Sequence, residues 1–422
     1  MQKTENLEKE ILEIKVLPKL RFREFNDSWN EMKLNDFTKI QRGKFTPRPR
    51  NNPIYYGGNI PFVQTSDVVK SKGKIFKYSQ TLNEKGLKVS KKFKKGTILI
   101  TVAANIGFSG VLEIDVACPD SLIGITCNEH NYNFFLQYLI EIEQPKMDYL
   151  AVAAAQKNIN LEFLYPYKFI LPTLKEQKKI ASFLTVVDEK LLQLTKKKEL
   201  LEDYKKGVMQ KIFSQEIRFK DDNGNNYPNW EEKKLGQIGK TFNGLTGKTK
   251  EDFGNGKPFI QYMQVFSSAK IDTLKFGFVN LNEGEKQNKV RYGDVFFTTS
   301  SETPLEIGYA SVLTEEIEEL YLNSFCFGYR ANSLNEFYPD FASYLFRSQS
   351  LRKQIVKLAQ GSTRYNMSKV QFMKILIKLP TLKEQKKIAN FLCAIDNKIE
   401  SVSAQIEKTK EFKKGLLQQM FV

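Results

Sequence analysis

Several short stretches of this 422-residue sequence hold residue types that do chemistry elsewhere, and each lacks something the chemistry requires. Asn52-Pro53-Ile54-Tyr55 comes near the Asn-Pro-Pro-Tyr loop used for methyl transfer to an adenine amino group. Ile54 replaces the second proline, however, and no glycine-rich cofactor strand precedes it. Gly247-Lys248-Thr249 resembles the end of a phosphate-binding P-loop, a motif that needs glycine where Phe242 stands. Asp188-Glu189-Lys190 and Asp396-Asn397-Lys398 imitate the Asp-x-Lys of nucleases. Both lie in helical patterns without a partnering carboxylate motif, so they read as solvated helix faces. His130 is the sole histidine, which leaves little room for a Ser-His-Asp triad or a histidine-rich metal site, and it reads as a loop residue. Cys118, Cys127, Cys326 and Cys393 are scattered without Cys-x-x-Cys spacing, as expected of ordinary buried thiols in a reducing compartment.

What remains is a binding pattern. The formal charge of +17 and pI near 9.4 ask for a polyanionic partner, most commonly nucleic acid. Arginine and lysine suit phosphates and guanine edges, and asparagine and glutamine can pair with adenine N6 and N7. Polar and basic loops of this composition sit beside strand candidates in both halves of the chain. The candidates in the first half are Arg42, Lys44, Arg48, Arg50, Tyr55, Gln64, Ser66, Asn105, Gln156, Lys157 and Asn158. Those in the second are Asn243, Lys248, Lys250, Tyr262, Gln264, Ser301, Thr363, Arg364, Tyr365 and Asn366. Any one of these loops taken alone reads as a solvated turn; their recurrence at matching places is what points to a partner.

Two copies of one sequence position these loops. Leu171-Pro172-Thr173-Leu174-Lys175-Glu176-Gln177-Lys178-Lys179-Ile180-Ala181 recurs letter for letter at residues 379–389, and the offset of 208 residues holds to the last residue. Each copy begins with a proline and a capping box, Thr173 with Glu176 and Thr381 with Glu384, where the threonine accepts a backbone N–H and the glutamate reaches back. Downstream, apolar residues recur at alternating fours and threes: Ile180, Leu184, Val187, Leu191, Leu194, Leu201, Val208 and Ile212, then Ile388, Leu392, Ile395, Ile399, Val402, Ile406, Leu416 and Met420. That spacing predicts two long helices paired as a coiled coil, each about 60 Å long for forty residues. Lys198, Thr409 and Lys413 interrupt the seam, and Gly207 and Gly415 are expected to end or kink the last turns at a cost of about 1 kcal/mol each.

Before each helix the halves run in parallel. Arg21-Phe22 leads to Trp29 as Arg218-Phe219 leads to Trp230, and Gly43 matches Gly244. Strand candidates follow over residues 60–64 and 257–261, then 96–101 and 293–298, with helix candidates over 132–143 and 337–358. The expected architecture is α+β: an amphipathic helix over residues 1–19, one module over 20–170, a long helix over 171–216, a second module over 217–378 and a last helix over 379–422. With its helix following it, each module can sit at one end of an antiparallel pair, which gives an internal pseudo-twofold axis. Residues 1–15 hold four glutamates and no apolar run with a cleavage site, so no secretory signal is expected and a cytoplasmic location is. No stretch approaches the ~18 unbroken apolar residues of a membrane span.

The doubled Leu-Pro-x-Leu-x-Glu-Gln-x-x-Ile opening of a long helix, at residues 171–180 and 379–388, resembles the specificity (S) subunit of type I restriction-modification systems, and the resemblance runs from about residue 20 to 422. It implies that each module is a target-recognition domain reading one half of a split, asymmetric site on double-stranded DNA. It implies two methyltransferase (M) subunits and restriction/translocase (R) subunits as partners, with S-adenosylmethionine, ATP and Mg held by those partners. No cofactor and no catalytic residue are implied in this chain. The modules are only weakly alike, so two different half-sites are expected. The DNA-reading part of a related fused restriction-methylation system, and a coiled-coil scaffold that binds no DNA, stand as alternatives.

Overall fold

The computed structural model describes residues 17–103, 105–153 and 158–422, so residues 1–16 of the expected N-terminal helix lie outside the described part. The chain adopts the expected α+β class in two compact units: Met1–Leu194 with Gln405–Val422, and Thr195–Ala404. The long helices, Leu174–Phe213 and Leu382–Met420, each begin in one unit and end in the other. No helix among the described residues is long and apolar enough to cross a membrane.

In the first unit a five-stranded sheet runs in the order Thr38–Arg42, Leu122–Cys127, Ile98–Thr101, Ser109–Leu112, Gly73–Ile75. A four-stranded sheet runs Gln80–Leu82, Tyr56–Phe62, Val116–Cys118, Lys91–Phe93. The strand Ile98–Thr101 is buried along its whole length, which explains its unbroken apolar run. Ile98 and Ile100 enter the core that holds Ile180, Leu184 and Val187 of the first long helix, and Leu99 enters a separate cluster with Val63, Val68 and Ile75. The second unit repeats the division. Val295 and Phe297 join the core of Ile388, Leu392 and Ile395, and Phe296 joins Ile260, Val265 and Ile271.

Each long helix springs from a two-stranded ribbon, Asn30–Lys33 with Lys168–Leu171 and Glu231–Lys234 with Leu376–Leu379. The glutamate of each repeated motif does not close a capping box. Glu176 is fully buried and bound on both oxygens by Arg21, at 2.7 Å from Nε and 2.7 Å from Nη2. Glu384 is held the same way by Arg218, at 3.3 and 2.9 Å. A buried carboxylate must be paired, and a guanidinium offers more donors than one backbone N–H. The neighbouring glutamine is equally committed: Gln177 donates to the Pro172 carbonyl and accepts from the Tyr132 amide, and Gln385 does so with Pro380 and Tyr338.

In the first unit the start of the first long helix packs against the end of the second, with Leu416, Met420 and Phe421 in its core; in the second unit Ile212 and Phe213 take that role. Lys413, which breaks the seam, pairs with Asp188 at 3.0 Å and Glu141 at 2.9 Å, and Asp188 accepts the Tyr138 hydroxyl at 2.7 Å. Lys205, Asp396 and Tyr344 form the same set at 2.5 and 2.7 Å in the second unit. The two Asp-x-Lys aspartates are therefore half-buried register pins, not solvated faces.

Three expectations about helices change. Both long helices run straight through Gly207 and Gly415, where an added Cβ would meet nothing within 4 Å. The first-module helix spans Asn133–Ala153 and passes Pro145, because Met147 and Ala151 beyond it are buried in the core. The second-module candidate divides into Pro339–Leu345 and Gln349–Val356 at Ser348, which caps the latter. At the break, Arg347 is half-buried and donates to the carbonyls of Val265, Phe266, Ser268 and Ala310, with its pKa pushed down to about 10 by burial.

Two stability changes follow. Arg21→Ala leaves Glu176 buried without its partner and should cost about 3–5 kcal/mol, read from the denaturant midpoint. Gly207→Ala or Gly415→Ala should stabilise by about 0.5–1 kcal/mol; a lower midpoint in either would show that the helix is not regular there.

Candidate nucleic-acid interface

In each unit one short segment gathers the polar loops. In the first it is residues 118–122, between two strands. The Cys118 carbonyl accepts the Lys44 amide at 3.0 Å, and the Leu122 carbonyl accepts that of Gly43 at 2.8 Å. Gly43 is glycine because a Cβ would lie 2.1 Å from the Pro119 oxygen; Gly244 faces the Asn323 oxygen at the same distance. The Asp120 carbonyl accepts Arg42 at 2.7 Å, and its carboxylate pairs with Arg50 at 2.8 Å. Ser121 meets the Thr65 hydroxyl at 3.3 Å and the Val102 amide at 3.2 Å.

Around this hub Arg42, Lys44, Arg48, Arg50 and Ser66 are exposed. Arg48 donates to the Pro47 carbonyl at 2.8 Å, and the Tyr55 ring packs edge-on against Phe45. Gln64 precedes the helix Thr65–Lys70, and its side chain donates to Gln80 at 2.9 Å. Arg50, Gln64, Ser66 and Gln80 line an open cleft of about 850 Å³. Asn105 and Asn158 are exposed; the Asn105 amide donates to the Ala103 carbonyl at 2.8 Å, and Ala103 forms a β-bridge with Asn158. Gln156 and Lys157 lie outside the described residues.

The second unit uses residues 322–326 in the same way: the Leu322 carbonyl accepts the Leu245 amide at 2.7 Å and the Phe325 carbonyl accepts that of Thr299 at 3.0 Å. A hairpin of Ala359–Gln360 and Tyr365–Met367 pairs with Ser300–Ser301. It puts Thr363 and Arg364 at an exposed tip, with Tyr365 half-buried and Asn366 exposed opposite Ser300. Tyr262 donates to the Ser300 carbonyl at 3.1 Å, and burial raises its pKa. Asn243 is exposed and accepts from Lys369, whose pKa burial lowers.

Three sequence candidates turn inward. The Lys248 side chain is 3% exposed and lies 2.5 Å from Glu285, whose pKa is held down to about 2 chiefly by that hydrogen bond. Gln264 bonds the Lys275 carbonyl and the Asp272 amide, closing its own loop. Ser301 is buried and accepts the Thr303 amide at 3.2 Å. Lys250 stays exposed in the turn Lys250–Asp252. Sequence reading missed Gln80, Lys369 and Phe325, the last of them 58% exposed at the hub. Gln80 carried a signal, since it is a polar residue opening a short strand, Gln80–Leu82; the other two carried none.

The geometry is a pair of β scaffolds, each presenting basic and carboxamide side chains from loops tied to one hub. A family model described as the type I restriction modification DNA specificity domain matches the chain twice, over residues 26–202 and 227–411. The MjaX protein of Methanocaldococcus jannaschii, a putative type I restriction enzyme specificity subunit, is 26% identical over 94% of both chains. The MjaVIII specificity subunit of the same organism is 25% identical over 68% of both. The crystal structure of a type I S subunit from M. genitalium superposes with a TM-score of 0.58 at 17% identity, over 96% of this chain and 99% of that one. A chain solved in work on assembly and conformational transition of the type I R-M system gives 0.57 at 16% identity, over 95% and 99%.

Salt titration of nucleic-acid binding should separate outward from inward lysines. Lys250→Ala should lower the slope of log affinity against log salt by about one, and Lys248→Ala should leave the slope unchanged and lower the denaturation midpoint instead.

Proposed function

The chain belongs to the family of type I restriction modification DNA specificity subunits, and from that premise we propose how its parts divide the work. Each unit reads one half of a split, asymmetric site on double-stranded DNA, through base-edge contacts from the loops around its hub. The exposed arginines and lysines of those loops neutralise phosphates, which gives most of the affinity and makes it fall steeply with salt. Two observations support this: the loops recur at corresponding strand ends in both units, and their side chains differ between the units. The same scaffold therefore carries two different readers.

The chain itself carries no chemistry in this proposal. Two methyltransferase subunits dock on it and bring S-adenosylmethionine to a target adenine, and a restriction subunit adds ATP- and Mg-dependent translocation and cleavage. The complex works in the cytoplasm. The lack of a complete methyl-transfer, P-loop or nuclease motif in the sequence supports this division of labour.

The test is methylation mapping on a complex reconstituted with methyltransferase subunits. Arg364→Ala or Asn366→Ala should damage recognition of one half-site, at about 1–3 kcal/mol for a lost base contact, and leave the other half-site intact. Equal loss at both halves would overturn the modular reading.

A further inference from the structure

The cleft of the first unit holds a carboxamide pair that has no counterpart in the second. Gln64 follows the strand Tyr56–Phe62, and Gln80 opens the neighbouring strand Gln80–Leu82, with Phe62 and Gln80 as register partners. The Gln64 amide nitrogen donates to the Gln80 oxygen at 2.9 Å, which fixes the Gln80 side chain without using its own N–H donors. Gln80 is exposed and lines the open cleft, as does Arg50.

The second unit keeps the strand pair and the first glutamine but not the second. Phe259 corresponds to Phe62 and Gln261 to Gln64, and the register partner of Phe259 is Gly277. A side chain there would have to displace its neighbours: a Cβ on Gly277 would lie 2.6 Å from the Phe259 ring and 3.1 Å from Gln261 Cγ. At one position of a shared scaffold, then, one unit presents an oriented carboxamide and the other presents bare backbone.

We propose that Gln80 is a specificity-determining residue of the first unit and reads an adenine in the half-site that this unit recognises, a reading that rests on the function proposed above. A carboxamide offers a donor and an acceptor side by side, the complement of adenine N7 and N6–H; guanine presents two acceptors there and calls for an arginine. The Gln80 oxygen keeps a second lone pair beyond the one Gln64 occupies, and both of its N–H groups are available. Gln64 is a positioning residue. It removes the rotamer freedom that an exposed glutamine would otherwise lose on binding.

The experiment compares the complex reconstituted with methyltransferase subunits for wild type, Gln80→Ala and Gln80→Glu, each first checked for an unchanged melting temperature. Competition between site variants gives the preference at every position of the methylated motif. Gln80→Ala should reduce discrimination at one A·T pair of one half-site by about tenfold or more, and Gln80→Glu, which keeps the size and removes the donors, should do the same. The other half-site should stay as in wild type. An unchanged motif, a change at a G·C pair or loss at both half-sites would overturn the assignment. Arg364→Ala, run in parallel, separates the two levels. If it alters one half-site while the Gln80 variants alter nothing, the modular reading stands and this assignment falls; if none of the variants alters either half-site, both fall.

Discussion

A buried carboxylate held by a guanidinium at the root of each long helix is the constraint on which the rest depends. Glu176 and Glu384 are fully buried, a position a charged group tolerates only when it is paired and hydrogen-bonded. Arg21 and Arg218 supply the pairing, and each also donates to carbonyls of its own lead-in segment, Asp27 for the first and Tyr227 and Pro228 for the second. The adjacent glutamines anchor the loop that enters the module helix. One dipeptide, Glu-Gln, thus fixes the helix start, the chain entering the module and the helix leaving the sheet. Both letters of that dipeptide have corresponding interior partners in the two halves, which accounts for their identity there.

Further along, each unit closes with material from both long helices. The indole of Trp29 meets Phe421 edge-on, and that of Trp230 meets Phe213. Lys413 and Lys205 occupy corresponding places over Tyr138 and Tyr344, 5.4 and 5.2 Å from the ring centres. A lysine facing an aspartate and a tyrosine favours one register of the helix pair, so Lys413 and Lys205 add specificity where a leucine would add only burial.

Large features were legible in the sequence: the duplication, the helix period, the strand candidates at 96–101 and 293–298 and the loops as carriers of polar residues. What failed was any inference that needed a distant partner. Glu176 looks like a capping glutamate because the motif is local, and Arg21 stands 155 residues away. Lys248 looks like a phosphate ligand until Glu285 closes on it. Gly207 looks like a terminator because isolated helices stop at glycine, whereas here packing on both sides of it carries the helix through. Of the site, residue types could be read but not direction. Whether a loop lysine faces solvent or a carboxylate is decided by the fold.

The central strand of each unit, whose alternate side chains enter two separate cores, has a consequence for how such a protein changes over generations. Ile98 and Ile100 belong to the layer that touches the helices, and Leu99 to a separate layer with Val63, Val68 and Ile75. A substitution in the Leu99 layer meets the side chains on the other face of the strand only through the strand's backbone, because those side chains are buried against other partners. The layer away from the helices can therefore be repacked over generations while the contacts that hold the helix-facing layer together stay as they are.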